Sequence, residues 1–194
     1  MAVQSFMPAL GNKATTFDLK TANPWIDIIE GETRSFESYP EASIYVVVFT
    51  CNHCPYAIHV ESTLINIANN YADKGVQFIA ICSNDPVTYP TDDFDSMATR
   101  AREVNMPFPY LWDETQDIAK AYGAACTPDI FVYDADLVMQ YRGRVDETRP
   151  NMGTAHGADL TAALDQILST GKGPDNQYPS VGCSIKWRRG NAPH

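Results

Sequence analysis

Apolar residues along this chain fall into two kinds of run. Ile44–Phe49 (IYVVVF) and Val76–Cys82 (VQFIAIC) are continuous and rich in β-branched residues, the pattern of strands buried on both faces. Between them Ile58, Leu64, Ile65, Ala68 and Tyr71 recur at helical spacing, and Asp73-Lys74-Gly75 supplies a glycine stop. This spacing predicts a βαβ unit with parallel strands. Ser83–Asp93 is a polar loop, with Asp92 or Asp93 placed to cap a helix running to about Asn105. Pro107-Phe108-Pro109 stops that helix, and Pro109–Leu111 reads as a short strand. A short helix over Asp113–Tyr122 follows, stopped at Gly123. Ala125–Tyr133 predicts a strand opened by a proline, Leu137–Tyr141 its returning partner, and Ala158–Leu168 a final amphipathic helix. Ahead of this core, Phe17–Lys20 alternates as a strand does and predicts an added hairpin with Trp25–Ile28, while Phe36 packs on the core. The tail from Gly171 has little periodicity, but Trp187 predicts that it lies against the domain. The expected organisation is one domain over residues 1–194, with a core of about 44–170, an N-terminal extension over 1–40 and a tail over 171–194.

The chemistry concentrates where the first buried strand gives way to its helix, at Thr50-Cys51-Asn52-His53-Cys54-Pro55. A thiolate, not a thiol, is the nucleophile, and the unpaired N–H groups of a helix start stabilise it. The second cysteine of such a pair can displace a mixed disulfide formed by the first. Cys51 is therefore read as the attacking thiol and Cys54 as the resolving one. His53 is placed to lower the Cys51 pKa by a hydrogen bond or a positive charge. One strain stands in this reading: Pro55 fits best at the first helical position, which makes Cys54 the N-cap. A structural zinc site needs four ligands, commonly two such pairs; the chain has one, and His59 reads as a solvated or structural residue. No metal is expected.

Composition narrows the partners. The formal charge of −10 on 194 residues argues against nucleic acid or an anionic membrane surface. No apolar run approaches the ~20 residues of a membrane-spanning helix, and MAVQSFMPALG lacks the features of a signal peptide. Five cysteines are odd in number and too sparse for a disulfide scaffold. A reducing cytoplasm with reactive thiols is the simpler account.

In this order and spacing, the segments VVVFTCNHCPYAIH, ICSNDPVTYPTDDFDSM, FPYLWDETQDIAKAYGA, CTPDIFVYD and YRGRVDE resemble the thioredoxin superfamily. Within it they are most similar to the redoxin branch of alkyl hydroperoxide reductase/thiol-specific antioxidant proteins. They cover about Ile44–Glu147, and GCSIKW in the tail fits the same group. The resemblance implies an α/β thioredoxin-like fold, a mixed central sheet flanked by helices, here with an extra N-terminal hairpin and a long C-terminal tail. It implies that Thr127-Pro128 is the cis-proline site facing the cysteine pair, whose neighbouring backbone pairs with an extended substrate. It implies no cofactor beyond a redox-active disulfide, and partners that are protein or small-molecule thiols and disulfides, or peroxide. Cys126 and Cys183 are accessory redox candidates. Peroxiredoxins carry a P-x-x-x-T-x-x-C run and an activating arginine. Here Cys54-Pro55 resembles the peroxidatic position, but Thr50 lies four residues before Cys54, and Val46 stands where the proline belongs. Arg142 or Arg144 is the candidate activating arginine. Three functions stay open: thiol–disulfide exchange through Cys51 and Cys54, peroxide reduction at Cys54, and a metal-binding or redox-sensing module using the cysteine pair with His156.

Overall fold

The structure is a computed structural model that describes residues 2–193. Its centre is β4 (Ile44–Phe49), every residue of which is buried. β4 pairs in parallel with β5 (Val76–Cys82) on one side and antiparallel with β8 (Asp129–Asp134) on the other. The sheet continues through β6 (Tyr110–Trp112), β2 (Leu19–Thr21) and β3 (Thr33–Arg34) beyond β5, and through β9 (Met139–Gly143) beyond β8. Its seven strands lie in the order β3-β2-β6-β5-β4-β8-β9 and form a mixed sheet. A second sheet holds β1 (Ala2–Gln4), β10 (Val181–Ser184) and β7 (Cys126–Thr127), in the order β1-β10-β7.

Alternate residues of β4 explain its unbroken apolar run, because each face meets a separate core. Ile44, Val46 and Val48 pack with α1 (Pro55–Tyr71), α2 (Phe94–Glu103) and α4 (Ala158–Thr170). Tyr45, Val47 and Phe49 pack with α3 (Asp117–Tyr122), Phe17, Phe36 and Trp187. Both cysteines of the pair belong to the first core. Among the described residues no helix is long and apolar enough to cross a membrane.

The N-terminal hairpin is present but differently paired. β2 joins Thr33–Arg34, and Pro24–Ile26 is a 3-10 turn instead of a strand. Pro24 cannot donate to a ladder, and Asn23 ahead of it is held by other partners. Its Nδ2 donates to Phe108 O at 3.1 Å, and Tyr110 N donates to its Oδ1 at 2.8 Å. The third helix is shorter than expected, starting at Asp117 after Gln116 takes a left-handed turn at φ 66°. The Ala125–Tyr133 strand is broken at Pro128 into β7 and β8.

The tail lies against the domain. Gln116 Nε2 donates to Ser83 O and Lys186 O at 2.6 and 2.9 Å, and Arg188 N donates to Gln116 Oε1 at 2.9 Å. Lys186 N donates to Asn84 Oδ1 at 2.8 Å. A buried side-chain amide thus replaces the ladder partners that an irregular segment lacks.

Candidate active site

The sheet delivers the two sulfurs to one point. Thr50 N–H donates to Ile81 O at 2.9 Å, carrying the parallel ladder one residue past β4, and Cys51 comes next. Pro55 occupies the first helical position, so Cys54 is the N-cap of α1, with φ −73° and ψ 121°. Thr127 closes the far side. Its Oγ1 lies 3.4 Å from Cys51 Sγ, and its carbonyl oxygen accepts from Cys54 Sγ at 3.1 Å. The Thr127–Pro128 peptide is cis. Cys51 retains 4% exposure and Cys54 none.

The helix start acts on Cys54, which corrects the expectation for Cys51. A hydrogen bond from the Cys51 thiol pushes Cys54 down, to about 4, against the opposing effect of burial. The Cys183 thiol, the Thr127 hydroxyl and the polarised Ala57 N–H add to the lowering. Cys51 moves the other way, raised by that same hydrogen bond, by burial and by the negative charge of Asp92. With Cys54 drawn down and Cys51 pushed up, the reduced pair is expected to keep one proton at neutral pH. The Thr127 carbonyl favours a protonated Cys54 and works against the lowering, but four donors oppose that one acceptor. A measurable consequence follows for the redox couple. Reducing the disulfide then takes up two electrons and one proton, so the midpoint potential should fall by about 30 mV per pH unit between pH 6 and 8. An ordinary dithiol, taking up two protons, falls by about 60 mV. Equilibration with a glutathione buffer at several pH values measures the slope; the steeper value would show that both sulfurs are protonated.

Sequence reasoning missed Asp92. Asp93 caps α2 by accepting from Ser96 N at 2.7 Å, which leaves Asp92 free to turn inward. There it is buried and accepts from Asn52 N at 2.8 Å and Asn84 Nδ2 at 2.7 Å, while His53 Nδ1 lies 2.5 Å away. The His53 ring stacks on Tyr89 with centroids 4.7 Å apart. His53 is thus turned to Asp92, and the expected donation to Cys51 is replaced by a carboxylate that disfavours the Cys51 thiolate. Two adjacent acids before one helix were the available signal, since a helix needs only one cap.

The remaining cysteines divide. Cys126 is buried with its Sγ 3.5 Å from Pro128 O, and burial pushes its thiol well up. Cys82 is buried and pushed up to about 12 by burial first and then by Asp92. Cys183 lies on β10, opposite Thr127 in the β10–β7 ladder, and its thiol is held up, to about 11, by burial first and then by Cys54.

The family model of the AhpC/TSA family matches residues 10–142. The chain belongs to the AhpC/TSA family. A solved conserved protein from Geobacillus kaustophilus, titled uncharacterized, is 46% identical with a TM-score of 0.89, and the match covers 97% of each chain. A hypothetical protein from Sinorhizobium meliloti 1021 is 36% identical, also with a TM-score of 0.89, over 96% of this chain and 99% of that one. The thioredoxin domain of a thiol-disulfide oxidoreductase from Bacteroides vulgatus is 15% identical with a TM-score of 0.61, over 84% and 99% of the two chains. That likeness concerns the fold, which is thioredoxin-like. No curated protein matches the chain at a significant level.

As a member of the AhpC/TSA family the protein is a thioredoxin-like redoxin. The candidate activating arginines are engaged elsewhere. Arg142 NH1 donates to Pro8 O at 2.8 Å. Arg144 Nε donates to Asp159 Oδ2 at 2.6 Å, with its guanidinium 4.5 Å from the Tyr178 ring centroid. Thr50 lines a cavity of about 20 Å³ that reaches Cys51 and Tyr110. Cys51, His53 and Asp92 bring one sulfur, one nitrogen and one oxygen within 4.8 Å of one another. Both carboxylate oxygens of Asp92 are already taken by nitrogen partners, so Asp92 is a hydrogen-bonded hub joining Asn52, His53 and Asn84. His156 faces Glu147 at 3.3 Å and Asp146 at 4.0 Å, not the cysteines.

Proposed function

We propose that the protein is a thiol–disulfide oxidoreductase that cycles Cys51 and Cys54 between dithiol and disulfide. The observation that carries this reading is the convergence of both sulfurs on Thr127, beside the cis Thr127–Pro128 peptide, with Cys51 keeping 4% exposure and Cys54 none. As Cys51 attacks a substrate disulfide, its proton passes along the hydrogen bond to Cys54, and the departing half of the substrate leaves as a thiolate. A mixed disulfide on Cys51 results. Cys54 then loses its proton, which its donors favour, and its thiolate attacks Cys51 Sγ to expel the second substrate thiolate. The reaction is its own reverse for oxidation, and it needs no cofactor. Substrates are thiols or disulfides of proteins or small molecules.

Peroxide reduction is the weaker reading. Arg142 lies opposite Phe131, in register with the face of the sheet away from Cys54, Arg144 is paired with Asp159, and the small cavity reaches Cys51 instead. The test is direct. Reduced protein is mixed with hydroxyethyl disulfide, with insulin, and separately with hydrogen peroxide. Reduction of a disulfide with recovery of the Cys51–Cys54 linkage is expected. Protein that leaves both disulfides intact but consumes peroxide catalytically would overturn the proposal.

A further inference from the structure

The edge of β7 beside the cysteine pair is filled by the chain itself. An extended partner docks on a sheet by pairing with such an edge; here β10 lies on it, antiparallel, with Cys183 opposite Thr127 and Ser184 opposite Cys126. The approach is unusually close. A Cβ on Gly182 would stand 2.0 Å from the Thr127 carbonyl oxygen and 2.6 Å from its carbon, a separation that only glycine permits. β10 is held from both sides, by β1 in register Ala2–Cys183 and by the tail bonds to Asn84 and Gln116. Cys183 is thereby packed on the same apolar cluster as Cys51 and Cys54, across the ladder from Thr127, whose carbonyl oxygen accepts from Cys54 Sγ at 3.1 Å. Cys54 thus has two neighbouring thiols, Cys51 at the β4–α1 junction and Cys183 on β10.

We propose that Cys183 is a third redox thiol of this site, which exchanges with the Cys51–Cys54 disulfide to form a Cys54–Cys183 disulfide. The inference rests on the dithiol reading above. The Cys183 thiolate attacks Cys54 Sγ, the bond between Cys51 and Cys54 breaks, and Cys51 leaves as a thiolate that takes up the proton Cys183 released. One disulfide and one thiol stand on each side, so no outside oxidant or reductant is needed. The charge balance favours the step only after oxidation. In the reduced protein, burial and the hydrogen bond to Cys54 hold Cys183 up, to about 11, while Lys186 acts to lower it. Once Cys54 is in a disulfide its negative charge is gone, and the influence of Lys186 remains. The exchange returns Cys51 as a free thiol, stores the disulfide between α1 and β10, and fixes the strand that covers the β7 edge.

Disulfide mapping tests this. The full chain is equilibrated in glutathione buffers of graded potential, quenched in acid, alkylated and digested, and the linked peptides are identified by mass. Both Cys51–Cys54 and Cys54–Cys183 linkages are expected in the wild type. Cys183→Ser should show the first linkage alone. Each tenfold in the ratio of the two linkages corresponds to about 30 mV between them. A wild-type protein that forms Cys51–Cys54 at every oxidising potential without any Cys54–Cys183 peptide would overturn the inference and leave the dithiol reading standing. Absence of the Cys51–Cys54 linkage would instead remove the dithiol reading itself. Because the deciding measurement is made on the wild type, poor folding of a variant does not obscure it.

Discussion

Cys51→Ser protein is expected to reduce no disulfide, while Cys54→Ser protein should attack once and remain bound to its substrate. A serine hydroxyl does not ionise in this pH range and cannot open a disulfide, so the first variant should fall to the rate without protein. In the second, Cys51 keeps the small exposure that Cys54 lacks, and its mixed disulfide lacks the neighbouring Cys54 sulfur that resolves it. Mass spectrometry after mixing with hydroxyethyl disulfide should therefore find a one-to-one adduct on Cys51 in Cys54→Ser and none in Cys51→Ser. The reverse outcome, an adduct carried by Cys54 when Cys51 is serine, would assign the attack to the more acidic sulfur. That alternative is real in physical terms, because acidity and access are separated here: the helix start favours charge on Cys54, whereas exposure favours chemistry at Cys51.

Asp92→Ala should cost about 3 kcal/mol of stability. The carboxylate is fully buried and is the acceptor for Asn52 N–H and the Asn84 amide, and it holds His53 at 2.5 Å. Each buried donor left without a partner costs roughly 1–3 kcal/mol. Asn52 and His53 are partly exposed and regain some of this from water, which keeps the sum toward the low end. Urea unfolding with an unchanged slope measures the loss as a shift in midpoint. Asp92→Asn keeps the shape and removes the charge, so it should lose less. It should also lower the Cys51 thiol, because Asp92 is one of the groups holding that thiol up. Faster alkylation of Cys51 at neutral pH reports this. Wild-type stability in Asp92→Ala would show that the loop needs no such anchor.

The strands at the centre of the sheet were legible because both faces of β4 and β5 are buried, which leaves an apolar run in the sequence. The cysteine pair at the junction was legible for the same reason: the end of that run marks the end of the strand. The location of the acidity was only half legible. Pro55 signalled that the helix begins after Cys54, but which sulfur receives the donors depends on Thr127 and Cys183, which lie 73 to 132 residues away in sequence. Asp92 was hidden by ambiguity, since an acid ahead of a helix satisfies a local pattern whichever way it points. The hairpin partner of β2 was misplaced because Trp25–Ile28 alternates as well as Thr33–Arg34 does, and the choice is made by the side-chain bonds of Asn23 across the domain. The resemblance also suggested a free β7 edge; its occupant is a tail whose composition carries no strand period.

The pairing of Ala2 with Cys183 governs how the protein is best handled in the laboratory. A purification tag or fusion partner joined ahead of Ala2 would emerge beside the third thiol and press on the strand that screens the pair. Joined after the turn at Arg188–Asn191, which is bonded to Thr115 and Gln116, the same cargo would leave from the opposite core. Assays of this redoxin are therefore best run with the leading end untagged.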